Sequence, residues 1–197
     1  MRGYFGIGVE GISKAMNVGS IFRTGHAFNA SFVFTVSASY NKEKIKCSDT
    51  SHTVNQLPFY NFPNDASMIF PENCALIGVE LTDDAIQLPK FRHPRCAAYI
   101  FGPERGTLSR SMQKKCEQIV MIPTKFCINV GLAAAIILYD RLLSTTHFGA
   151  RPVVTGGKEE CMPTHKHGNP IRRSPLMERY RDNPPLEALK IFDQNAT

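Results

Sequence analysis

Residues 6–11 read GIGVEG, a letter-for-letter match to the spacing G-x-G-x-x-G. In a dinucleotide-binding unit that spacing follows a buried strand, opens a helix, and is answered about 20 residues on by an acidic side chain that holds the ribose. Only Met1–Phe5 precede Gly6, too few for a separate central strand, and after Glu10 the next acidic residue is Glu43. A phosphate loop is excluded as well, because no Gly-Lys-Ser/Thr follows. The stretch GYFGIGVEG (3–11) therefore reads as one strand closed by a turn at Gly11, with Gly6 and Gly8 leaving room for a neighbour to pack close.

The same texture continues downstream. SFVFTVS (31–37), CALIGVEL (74–81), CAAYIFG (96–102) and EQIVMIP (117–123) are short apolar runs that do not alternate strictly. Such runs suit strands buried on both faces, as in a parallel sheet. Helical candidates lie between and after them at 13–28, 64–70, 109–116 and 129–144, the last with Asn129 as its cap. Alternating strands and helices predict an α/β layered fold, a mostly parallel sheet flanked by helices.

The 197 residues are 43% hydrophobic and 20% charged, normal for a globular domain. A net charge of +6 admits an anionic partner. Residues 1–150 carry 15 Lys/Arg against 11 Asp/Glu and residues 151–197 carry 8 against 6, so the basic excess is spread along the chain. Cysteines 47, 74, 96, 116, 127 and 161 form no C-x-x-C pair, and no signal peptide is evident, so we expect reduced thiols and a cytoplasmic protein. Cys161, His165 and His167 are close in sequence but lack a clear fourth ligand, and no metal is expected. The longest apolar run, 130–139, is half the length needed to cross a bilayer, so no membrane span is expected. From about residue 150 the chain turns rich in Pro, Gly and charge, which divides it into a domain at 1–150 and an extension at 151–197.

Three segments place polar residues and glycines near the strand ends, where open α/β sheets bind ligands. NVGSIFRTGHAF holds Asn17 and Arg23 six apart; IFGPERGTLS runs a strand into Gly102 and Glu104; IPTKFCINVGLAAAI passes from a strand end through a loop to Asn129. Singly, each could be a solvated surface or a helix-packing stretch. In this order and spacing, over roughly residues 3–145, the three resemble the signature motifs of the SpoU (TrmH-like) branch of the SPOUT RNA methyltransferases. Those motifs are an Asn with an Arg six residues on, a strand followed by G-x-E-x-x-G-L-S, and I-P, a short loop, then S-L-N-V-S before an alanine-rich helix. Here they match Asn17 and Arg23, then Gly102, Glu104 and Gly106 with one residue rearranged, then Ile122, Pro123 and Asn129. Cys127 and Gly131 stand where the family has serines, and a thiol is the poorer hydrogen-bond donor.

The resemblance implies a sheet whose C-terminal part is tied in a deep trefoil knot, S-adenosylmethionine held there, and a homodimer whose active sites draw on both subunits. It implies methyl transfer to a ribose 2′-hydroxyl of RNA, with tRNA the first candidate and rRNA the second. Arg23 would stabilise charge developing on the attacking oxygen, Asn17 and Asn129 would position groups, and Glu104 would orient an arginine or the second subunit. Cofactor contacts would come from main chain at Glu80, Leu81, Gly102, Ile122 and Ile128, with Cys127 beside them. The family's frequent N-terminal RNA-binding extension is expected to be absent. The rival expectation is a non-catalytic RNA-binding protein that keeps the fold.

Overall fold

The computed structural model describes residues 3–39, 57–104 and 106–146. The extension at 151–197, the Cys161/His165/His167 cluster, Cys47 and Arg105 lie outside the described residues.

Seven strands form one sheet: β1 (Tyr4–Glu10), β2 (Phe32–Val36), β3 (Phe59–Phe62), β4 (Ala75–Val79), β5 (Ile86–Gln87), β6 (Cys96–Phe101) and β7 (Gln118–Met121). Their order is β3-β2-β1-β6-β4-β7-β5, and every neighbouring pair is parallel. Among the described residues three helices cover the faces: α1 (Ala15–Ala27), α2 (Arg110–Lys115) and α3 (Val130–Thr145). One face packs Phe5, Ile7, Val9, Ile77, Tyr99 and Phe101 against Val18, Ile21 and Phe22 of α1 and Ala134, Ile137 and Leu138 of α3. The other packs Phe32, Phe34, Leu76, Ala98 and Ile100 against Leu108 and Met112. Apolar burial on both faces is why these runs do not alternate.

The glycines of the opening stretch have a steric purpose. Gly6 pairs with Phe32 and Gly8 with Phe34. A Cβ on Gly6 would lie 2.2 Å from the Phe32 ring, and one on Gly8 would lie 2.5 Å from the Phe34 ring. The turn falls at Gly11, at φ +61°.

Two expectations need correction. Residues 64–70 form no α-helix: a single 3-10 turn at Asp65–Ser67 is closed by a reciprocal cap between Asn64 and Ser67, and Met68 is already extended. Pro71 disfavours a helical Phe70, and Met68 and Phe70 pack on the sheet instead. The sheet also holds β3 and the two-residue β5, which the apolar runs do not announce.

At the N-terminal edge of the sheet a polar network is buried. Arg141, 1% exposed, donates to the carbonyls of Pro94 and Arg95 and to Tyr99 Oη, and lies 4.7 Å above the Phe5 ring. His93 bonds Tyr99 Oη at 2.6 Å through Nδ1 and Asp140 at 3.0 Å through Nε2. Burial lowers the His93 pKa despite the opposing hydrogen bond and charge of Asp140. Burial likewise pushes the Tyr99 hydroxyl up to about 12 against the pull of Arg141. A neutral His93 satisfies every partner, donating from Nε2 and accepting at Nδ1. Among the described residues no helix is long and apolar enough to cross a membrane.

Candidate functional site

The C-terminal ends of β1, β6, β4 and β7 lie side by side in mid-sheet, and the loops leaving the last three enclose a cleft of about 420 Å³. Its walls are Val79, Glu80 and Leu81 at the end of β4, Gly102, Pro103, Glu104 and Gly106 after β6, and Ile122 and Thr124 after β7. Cys127, Ile128 and Asn129 lead from there into α3, and Lys14 and Asn17 close the cleft from the start of α1. All six residues expected to hold the cofactor line it: Glu80, Leu81, Gly102, Ile122, Cys127 and Ile128. So do three of the four expected to be catalytic: Asn17, Glu104 and Asn129. Arg23 does not. It sits exposed on α1, nearly two turns beyond Asn17, where six residues at 1.5 Å rise span about 9 Å.

Three side chains tie the cleft's polar residues together. Asn17 Nδ2 donates to Glu104 Oε1 at 3.0 Å, Asn129 Nδ2 donates to Asn17 Oδ1 at 3.2 Å, and Asn129 Oδ1 accepts from Gly131 N at 2.8 Å. Asn129 is therefore the cap expected of it, and its amide also reaches α1. Glu104 also meets the start of α1. Its carboxylate accepts from Lys14 N at 3.0 Å and from Ser13 N and Oγ at 3.3 and 3.4 Å. Lys14, at the helix cap, has no side-chain cap of its own and the first turn of α1 has no acidic residue, so a carboxylate some 90 residues away meets the exposed N–H groups and the positive end of the helix. Burial opposes ionisation of Glu104, but hydrogen bonds from its own backbone, Lys14, Asn17 and Ser13 outweigh it and hold the pKa below the usual glutamate value.

Glu80 and Glu10 secure the far end of the same loop. Glu80 accepts from Leu81 N at 2.9 Å and Leu108 N at 2.8 Å. Gly102 is tight beneath it, since a Cβ there would lie 3.0 Å from Glu80 Oε2. Glu10 accepts from Ser109 N at 2.8 Å and Ser109 Oγ at 2.6 Å. The importance of Glu10 is missed by motif reading, although an acidic residue ending a buried strand at the ligand-binding edge is a legible signal. Lys14 and Thr124 also line the cleft without having been singled out. Gly131 has a local reason: α1 and α3 approach so closely that a Cβ there would lie 2.9 Å from Ser20 Cβ. Among the described residues no group of three or more His, Cys, Asp or Glu could hold a metal ion.

Comparison with known proteins bears on this arrangement. A sequence search among curated proteins returns no match. Among solved structures, the chain is similar to the SpoU methyltransferase AviRb from Streptomyces viridochromogenes at 20% identity and a TM-score of 0.62, covering 72% of this chain and 60% of that one. It is similar to an AdoMet-bound rRNA methyltransferase from Sinorhizobium meliloti at 16% identity and a TM-score of 0.65, covering 75% and 59%. A structure concerned with the 2-OH methylation of C/U34 on tRNA aligns at 13% identity and a TM-score of 0.64, covering 73% and 97%. The chain thus spans about three-fifths of the length of the first two, and at such identities the likeness is one of fold. The sequence model of the SpoU rRNA Methylase family matches residues 5–139, well over half of the chain. The chain belongs to the SpoU rRNA Methylase family.

Proposed function

We propose that this protein transfers a methyl group from S-adenosylmethionine to a ribose 2′-hydroxyl of RNA, with tRNA the first substrate to test and rRNA the second. One observation carries the reading: the six residues expected to hold the cofactor line a single cleft, beside the hydrogen-bonded row Glu104–Asn17–Asn129. The relatives support it, since one was solved with AdoMet and others are named for rRNA or tRNA methylation.

The lining fits the cofactor. A volume of about 420 Å³ is within the ordinary range for small-molecule sites. Ile122, Ile128 and Ala133 supply apolar surface for an adenine, and strand-end backbone supplies hydrogen-bonding groups. Glu80 and Glu104 place negative charge near a ligand that carries a sulfonium and an ammonium. Bound there, the cofactor supplies an electrophilic methyl group. Asn17, fixed by Glu104 and Asn129, positions the ribose, and a guanidinium stabilises the charge that develops on its 2′-oxygen.

That guanidinium comes from Arg23, through a homodimer. Leu132, Ile136, Tyr139 and Leu143 recur at helical spacing on α3 and are 62%, 39%, 53% and 36% exposed, an apolar face that the described residues leave open. Met16, Ser20 and Arg23 share a face of α1, and Ser20 touches α3 at Gly131. Pairing of two copies over this surface carries Arg23 of one towards the cleft of the other. The trefoil knot and a cytoplasmic location belong to the same reading.

Calorimetry with S-adenosylmethionine, then methyl incorporation into tRNA and rRNA separately, tests the activity. Arg23→Ala should lower turnover by about 10²-fold or more while leaving cofactor affinity unchanged. Near-normal turnover would overturn the role. Cofactor binding without methyl transfer to either RNA would favour a non-catalytic RNA-binding protein. Leu132→Glu should yield a species of the 22.0 kDa chain mass by light scattering.

A further inference from the structure

The cleft wall after β6, residues 102–104 and 106–109, contains Gly102 and a Gly106 at φ +124°. It is tied reciprocally to one other segment, residues 10–17. Glu104, carried by the loop, reaches Ser13, Lys14 and Asn17. Glu10, carried by the end of β1, reaches back to Ser109, whose hydroxyl also accepts from Met112 N at 3.1 Å and so caps α2. Each segment thus lends the other a carboxylate.

Glu10 is 9% exposed and is not part of the cleft lining. A carboxylate that deep is costly unless donors meet both oxygens, and one serine meets both. β1 and β6 are fixed to each other in register up to Val9 and Phe101. The ties from Glu10 and Glu80 therefore decide where the loop rejoins the rigid body of the protein.

We propose that Glu10 is a positioning residue for the methyl-transfer reaction: through Ser109 it fixes the cofactor loop, and with Glu104 it makes seating of the cofactor and placement of Asn17 a single event. This rests on the S-adenosylmethionine reading of the cleft. Two consequences follow. Cofactor affinity depends on a side chain outside the cleft, because a pre-ordered loop spares the ligand the cost of ordering it. Cofactor and RNA also strengthen each other's binding, since both bias the same linked pair of segments.

The test uses the full chain. S-adenosylmethionine affinity is measured by calorimetry for wild type, Glu10→Gln, Glu10→Ala, Ser109→Ala and the Glu10→Ala/Ser109→Ala double variant, with thermal melts alongside. Glu10→Ala should weaken binding about tenfold, the scale of one hydrogen bond to a charged group. Glu10→Gln should recover part of this, because its carbonyl still accepts from one donor. The double variant should bind no worse than the weaker single, since both changes cut one tie. In kinetics, kcat/KM for cofactor should fall while kcat at saturating cofactor is largely retained. Lower melting temperatures with unchanged affinity in Glu10→Gln and Ser109→Ala would overturn the proposal, and so would additive losses in the double variant. Failure of wild type to bind S-adenosylmethionine would instead sink the proposed function, before any variant is compared.

Discussion

Adding one methyl group to the opening stretch tests why its glycines are there. In Gly6→Ala the new Cβ would lie 2.2 Å from two atoms of the Phe32 ring, about 1.2 Å inside the 3.4 Å at which ordinary contact begins. Phe32 is 2% exposed and cannot turn aside freely. Its ring centroid lies 5.4 Å from Tyr4, 5.9 Å from Phe34, 6.0 Å from Tyr60 and 6.1 Å from Phe70, so any retreat displaces other rings. Overpacking costs about 1–3 kcal/mol, and a clash with a ring so enclosed belongs near the upper end. Reduced freedom of the unfolded chain returns about 0.4–1 kcal/mol. A net loss of about 2–2.5 kcal/mol corresponds to a fall in melting temperature of about 4–10 °C in a domain of this size. Phe32→Leu in the same chain should restore part of it, because the smaller side chain vacates the space. Gly6 is remote from the cleft lining, so S-adenosylmethionine affinity should be unchanged. A melt within 1 °C of wild type (about 0.3–0.5 kcal/mol), or losses that simply add in the double variant, would refute the steric account.

The remaining predictions concern the site and the buried network. Asn17→Ala leaves the amide of Asn129 without its partner and removes one of the two donors to Glu104 Oε1, which should cost about 1–2 kcal/mol in urea unfolding and reduce methyl transfer further than that loss explains. Cys127 is exposed in the cleft, whereas burial pushes the Cys116 thiol up to about 12 and Cys74 up to about 11. Alkylation near pH 8 followed by peptide mapping should therefore modify Cys127 ahead of those two, and S-adenosylmethionine should protect it. Because the folded His93 pKa is lowered, the unfolded chain takes up that proton first as the pH falls. Stability owed to His93 is complete above about pH 6.5 and declines below it, by up to about 1.4 kcal/mol per pH unit, until the folded value is reached. Urea midpoints between pH 7.5 and pH 5, compared with a His93→Gln variant, measure this slope.

The strands buried on both faces were legible because continuous apolar runs leave a plain trace: the run YFGIGVE is β1 from end to end. Strand β3 was not, because Phe59 and Phe62 are half-buried while Tyr60 and Asn61 are exposed at the sheet edge, which breaks the trace. The two residues of β5 are too short for any periodicity. At the site, Asn17, Glu104 and Asn129 could be found by spacing, yet the tie of Glu104 to the start of α1 could not, being a matter of three-dimensional neighbourhood across some 90 residues. Arg141 looks like a surface charge in an apolar helix and is instead the cation on which the carbonyls of Pro94 and Arg95 converge. The acceptors that pull it inside lie 46 and 47 residues away, and sequence spacing carries no word of them.

The approach of α1 to α3 also constrains how this protein can change. Ser20 fills the space opposite Gly131, with 2.9 Å between its Cβ and the place where another would be. The two positions form one seat for one hydroxymethyl group, and the occupant can come from either helix. Moving it to α3 takes two substitutions, and their order is not neutral. If Gly131→Ser comes first, two side chains compete for the seat and press on Asn129 Oδ1, 3.2 Å from the new Cβ, which loosens the cap of α3. That intermediate carries an overpacking cost of about 1–3 kcal/mol. If Ser20→Gly comes first, the seat stands empty, and the cost is mainly a glycine inside α1, roughly 0.5–1 kcal/mol. The passable route runs through the vacancy, so the serine on α1 must be given up before the one on α3 can be gained.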